Sequence, residues 1–135
     1  LNARIGRDFA FRPGVTDLTT TPAEVLARRE GVCQDFAQVM ISALRALGLP
    51  ARYVSGYLRT RPPPGQESRR GADQSHGWVD LDPTNSLVVR DEHVVLGWGR
   101  DYGDVSPVRG VVLGRGAHSL AISVDLEPIE DRAEA

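Results

Sequence analysis

Gly31-Val32-Cys33-Gln34-Asp35-Phe36-Ala37 carries the only cysteine of this chain, and the helix it opens decides the fold. Phe36, Met40, Ala43, Leu44 and Leu47 recur at helical spacing and make one apolar stripe, so a helix is predicted from about Cys33 to Leu47. Cys33 stands three residues before Phe36, at the top of that stripe. Gly48-Leu49-Pro50 ends the helix: glycine accepts the left-handed backbone just past a helix, and proline cannot continue one. The unpaired N–H groups of a helix N-terminus favour negative charge, and the thiolate is the nucleophilic form of cysteine. A lone Cys in this place, with a His and an Asp further on, is the outline of a thiol nucleophile. The alternative is a small buried hydrophobe, the common state of a free cysteine.

Working outward, Thr21-Pro22-Ala23-Glu24 is a helix start. Thr21 can cap, Pro22 suits the first helical position and Glu24 completes a capping box. A short helix from Pro22 to about Arg29, stopping near Gly31, is predicted. Arg12-Pro13-Gly14 marks a turn, and the first dozen residues read as irregular or as the end of a helix. Ala51 to Leu58 reads as a strand rich in β-formers. Arg59 to Asp73 is a polar loop without periodicity, of a length that is often functional. Trp78 to Asp82 predicts a strand that Pro83 terminates. Val94 to Trp98 and Ala117 to Leu126 are further strands. From Glu127 the chain is acidic. One α+β domain over 1–126, a helix packed on an antiparallel sheet, with a tail over 127–135, is the expected architecture.

Composition bounds the function. A chain of 135 residues suits one domain with a real core. A net charge of −2 gives no general reason to expect nucleic acid or anionic membrane as partner. No apolar run approaches the roughly 20 residues of a membrane span. The single Cys excludes an internal disulfide framework and fits a reducing, cytoplasmic setting. One Cys and scattered His lack metal-ligand spacing, so neither a metal nor another cofactor is expected. All 16 basic residues are Arg, which suggests a GC-rich, bacterial coding bias. Leu1-Asn2-Ala3-Arg4-Ile5 shows neither an initiator Met nor a signal peptide, so the chain reads as part of something longer.

The chemistry runs in the order Cys33, Ser75-His76, Asp82-Pro83-Thr84-Asn85. A thiolate attacks a carbonyl, an imidazole moves the proton, and a carboxylate fixes the ring's tautomer. Spacing alone is weakly specific. The local strings are more so. Thr21 to Ala37, with Glu24-Val25-Leu26, Arg29-Glu30-Gly31-Val32-Cys33-Gln34-Asp35-Phe36, resembles the bacterial branch of the transglutaminase-like superfamily. Leu47-Gly48-Leu49-Pro50-Ala51-Arg52-Tyr53-Val54-Ser55-Gly56-Tyr57 resembles its next block. Ser75-His76 and Trp78-Val79-Asp80-Leu81-Asp82-Pro83-Thr84-Asn85 resemble its His and Asp blocks. His93, then Gly99-Arg100-Asp101-Tyr102-Gly103-Asp104-Val105-Ser106-Pro107, resembles the segment after them. The likeness runs from about Phe11 to Gly110.

This resemblance implies a papain-like core. Cys33 would be the nucleophile, His76 the general base and acid, and Asp82 the orienting carboxylate. The substrate would be a protein or peptide with a carboxamide group, with an amine as the alternative acceptor to water. Relatives usually carry a β-rich N-terminal region before this core. One departure stands out: only Gly77 to Leu81 separate His76 from Asp82. Six steps of extended strand span about 20 Å, whereas a carboxylate must reach an imidazole nitrogen at about 2.8 Å. Either a hairpin tip and part of a strand are lacking from the chain as written, the reading the strings favour, or they are deleted and the triad is damaged. In the second case the chain is a binding or scaffold domain.

Gln34, Trp78, Trp98 and Tyr102 are candidate substrate contacts, although Gln34 suits a solvated or capping place and the aromatics suit a cleft wall. Asp35, two residues past Cys33, reads as a first-turn charge pointing away from the Cys face. His93 and His118 match no triad motif and read as surface or strand positions. Arg100 and Asp101 are expected to pair. Arg59, Arg61, Arg69 and Arg70 would attract an acidic substrate or simply be solvated.

Overall fold

The computed structural model describes residues 1–58, 78–89, 93–106, 110 and 123–125. His76, His118, the Arg59–Asp73 loop, the acidic tail and nearly all of the strand expected over 117–126 lie outside the described residues.

Helix α1 (Asn2–Asp8) decides the opening between its two readings, irregular or the end of a helix, in favour of helix. It buries Ile5, which gives the segment a reason to be helical. Strand β1 (Ala10–Phe11) comes next. Helix α2 (Pro22–Arg28) begins as its sequence predicts: the Thr21 hydroxyl accepts from Glu24 N–H at 3.3 Å, and the Glu24 carboxylate accepts from Thr21 N–H at 2.8 Å. It ends at Arg29, in the left-handed region at φ 60°. The chain then enters β2 (Glu30–Gly31), which pairs in parallel with β1.

Helix α3 (Cys33–Ala46) is the centre of the fold. Phe36, Val39 and Met40 pack with Ile5 of α1 and Val25 of α2, and Phe9, Leu44 and Leu81 close round them. Phe9 meets Phe36 edge-on, 5.7 Å between centroids. The buried face is wider than the predicted stripe because α3 is covered on more than one side, by α1, α2 and the strand β3. Val39 and Ile41 are therefore buried, while Leu47, the C-cap, is exposed. Gly48 takes φ 74°, with Leu49 N–H donating to the Leu44 carbonyl and Gly48 N–H to that of Arg45. This is the paired pattern that glycine permits at a helix end.

Strand β3 (Tyr53–Leu58) supports the helix. The hairpin of β4 (Leu81–Asp82) and β5 (Leu87–Val88) turns over Pro83–Ser86. Strand β6 (His93–Gly99) pairs antiparallel with β3, from Tyr53 opposite Gly99 to Leu58 opposite His93, with an irregularity after Ser55. Helix α4 (Tyr102–Val105) closes against both. The strand expected over 78–82 is shorter than predicted, because only Leu81 and Asp82 face a partner strand. Among the described residues, no helix is long and apolar enough to cross a membrane.

Candidate active site

Cys33 is the first residue of α3, and the residues around it explain how it is held there. The Asp35 side chain is buried, and its Oδ2 accepts from Val32 N–H at 2.7 Å and from the Thr16 hydroxyl at 2.6 Å. It therefore ties the helix start to the loop before α2. The sequence placed Asp35 as a first-turn charge, as found, and its burial is made possible by these two donors. A Cβ on Gly31 would lie 2.6 Å from Asp35 Oδ2, so only glycine lets the carboxylate come this close. Cys33 itself is exposed, which removes the buried-hydrophobe alternative.

The thiol opens on a cleft of about 950 Å³. Gln34, Tyr53, Asp82, His93 and Tyr102 line it with Cys33, and Trp78 and Arg52 border it. Tyr53 is buried, and its ring meets Tyr102 edge-on at 6.0 Å. Burial first, and then the negative charge available to Cys33, raise the Tyr53 phenol above its ordinary value, so it stays a neutral hydroxyl.

Asp82 ends β4 at the head of the turn. Its Oδ1 accepts from Thr84 N–H at 2.9 Å and Asn85 N–H at 3.1 Å, and its Oδ2 from Asn85 Nδ2 at 2.7 Å. Oδ2 also lies 3.3 Å from His93 Nε2. Burial alone would raise this carboxyl, but the hydrogen bonds from Asn85, His93 and Thr84 outweigh it and hold it below its ordinary value. Asp82 is thus a firmly oriented anion at the cleft wall. His93 is on a strand, as its sequence suggests, yet it faces a carboxylate of the family's Asp block, which the sequence reading did not foresee. The signal was there: the pair lies 11 positions apart, with a Pro-Thr-Asn-Ser turn between them to fold the chain back.

The guanidinium of Arg52 is sandwiched between two indoles, 4.5 Å from the Trp78 centroid and 4.8 Å from that of Trp98. Gln34, Trp78 and Tyr102 therefore sit on the cleft, and Trp98 stands behind Arg52. The expected Arg100–Asp101 pair is not formed. Arg100 pairs with Asp104, at 3.0 Å, while Asp101 is the N-cap of α4 and accepts from Gly103 N–H at 2.8 Å. Capping fixes Asp101, and the helical turn presents Asp104 instead.

The geometry is that of a thiol presented at a helix start, in one cleft with an ionised, hydrogen-bonded carboxylate. The profile described as the transglutaminase-like superfamily matches residues 2–83. The chain belongs to the transglutaminase-like superfamily. It is 45% identical to the "Uncharacterized protein Rv2569c" of Mycobacterium tuberculosis, over 98% of this chain and 47% of that protein. It is 37% identical to the "Uncharacterized protein ML0607" of Mycobacterium leprae, over 86% of this chain and 44% of that one. The first alignment runs over 148 positions, more than the 135 residues of the chain, so that relative holds residues this chain lacks. Among solved structures, a "Putative Cysteine Protease" from Cytophaga hutchinsonii superposes with a TM-score of 0.61 at 29% identity, covering 78% of this chain and 36% of that one. The chain thus spans about half the length of these mycobacterial relatives.

Proposed function

We propose that this chain is the core of a cysteine-dependent acyl-transfer enzyme acting on amide or peptide carbonyls. The observation that carries the reading is the exposed Cys33 thiol on the first residue of α3, opening on the cleft that Asp82 also lines. Membership of the superfamily supports it.

The Cys33 thiolate attacks the carbonyl carbon, and the oxyanion accepts from the backbone N–H of Cys33. The tetrahedral intermediate collapses, the C–N bond breaks and His76, in its acid form, gives the leaving amine a proton. The thioester left on Cys33 is opened by water, giving hydrolysis, or by an amine, giving transamidation. In either case His76 takes a proton from the attacking group. Asp82 orients the imidazole. Gln34, Trp78 and Tyr102 contact the carboxamide-bearing chain, with Trp98 backing Arg52. Conditions that keep a lone exposed cysteine reduced are those of the cytoplasm, which we take as the setting.

The test is a burst measurement with p-nitrophenyl acetate. Cys33 should release one equivalent of nitrophenol rapidly, leave an acetyl thioester visible by intact mass, and lose both in Cys33→Ala. Absence of a burst in the folded chain would refute catalysis. The second reading, a binding domain built on the same fold, is favoured by the short step from His76 to Asp82, and it predicts that absence.

A further inference from the structure

Four donors hold the Asp82 carboxylate among the described residues. Thr84 N–H and Asn85 N–H serve Oδ1, while Asn85 Nδ2 and His93 Nε2 serve Oδ2. The first three donors lie within three residues of Asp82 and travel with it. Only His93, among these donors, ties the carboxylate to another element, β6. Both side chains are largely withdrawn from solvent, each 16% exposed, so water competes weakly for the contact.

We propose that His93 is a positioning residue for the reaction at Cys33: its Nε2–H donates to Asp82 Oδ2 and fixes the β4–β5 turn, and with it the carboxylate, against β6 at the cleft wall. The proposal rests on the thiol chemistry of the proposed function. The second ring nitrogen supports the assignment. His93 Nδ1 is buried and has no hydrogen-bond partner among the described residues. A hydrogen placed there would meet none of them, whereas one on Nε2 meets a carboxylate oxygen, so the neutral ring carries its hydrogen on Nε2. Its link to β6 is also independent of the spacing from His76. Asp82 is held in place by a residue 11 positions later, whatever the path of the chain before it.

The experiment tracks iodoacetamide alkylation of Cys33 across about pH 5 to 10, the range in which thiols titrate. The proteins are the unaltered chain, His93→Ala, His93→Gln, Asp82→Asn and the double variant. Relative to a small-molecule thiol, the unaltered chain should react faster near neutral pH. His93→Ala should lose about tenfold of that rate there, the size of one oriented hydrogen bond to a charged group. His93→Gln, whose amide can still donate to Oδ2, should regain most of it. The double variant should be no slower than Asp82→Asn alone, because His93 acts only through that carboxylate. An unchanged pH profile in His93→Ala, or losses that add in the double variant, would overturn the positioning role and leave the thiol reading intact. A thiol no faster than the small molecule in the unaltered chain would overturn both. Should His93→Ala fail to fold, His93→Asn, which is polar but too short to reach Oδ2, takes its place in the same comparison.

Discussion

Replacing Gly31 with alanine should cost this fold far more than one methyl group suggests. The new Cβ would fall 2.6 Å from Asp35 Oδ2 and 3.0 Å from Asp35 Cβ. Neither atom can yield freely, because the side chain is buried and held by Val32 N–H and the Thr16 hydroxyl. If the carboxylate swings away, both hydrogen bonds break. Bonds to a charged group are worth about 1.5–3 kcal/mol each. Against this stands about 0.4–1 kcal/mol gained by restricting the unfolded chain. With partial relaxation, a net loss of about 3 kcal/mol is expected, roughly 10 °C in melting temperature for a domain of this size. Urea unfolding should show a lower midpoint with an unchanged slope. Because Asp35 anchors the turn that bears Cys33, alkylation of the thiol should slow as well. A loss below about 0.5 kcal/mol, with thiol reactivity intact, would show that the helix start does not depend on this close approach.

Other contacts have equally definite consequences. Thr21→Ala removes the cap of α2 and should cost about 1 kcal/mol in a urea titration, with no change in thiol reactivity. Arg52→Leu removes a cation held between Trp78 and Trp98; a loss of about 1–2 kcal/mol is expected, with altered tryptophan emission reporting the same site. The Asp82 carboxyl is held below its ordinary value in the folded chain, so its contribution to stability is present above about pH 4, the unfolded value, and fades as acidity increases through the lower folded value. Unfolding titrations between about pH 2 and 6 should therefore show a shallower acid loss for Asp82→Asn than for the unaltered chain.

What the sequence revealed was local. The Thr21–Glu24 box, the end of α3 at Gly48 and the place of Cys33 are set by residues within four positions of one another, and each was legible from type and spacing. The wider face of α3 was not, because burial of Val39 and Ile41 depends on how neighbouring elements cover the helix. The burial of Asp35 was not legible for a similar reason: its partner Thr16 lies 19 residues away, and nothing in the short string around Cys33 announces it. The same holds for the stacking of Arg52 between residues 78 and 98, and for the contact of His93 with Asp82. The cleft is assembled by such non-local pairings, whereas the thiol's own position is written in the few residues around it.

Cys33 is exposed, and the sequence contains one cysteine. Oxidation of that sulfur to the sulfenic acid leaves no second thiol in this chain to resolve it as an internal disulfide. A resolving thiol must then lie outside these 135 residues, forming its disulfide with Cys33 from there. Where none is at hand, peroxide carries the sulfur on to the sulfinic and sulfonic acids, from which the thiolate is not recovered by thiols. The feature that makes Cys33 simple to label also leaves its redox state to the thiols around it.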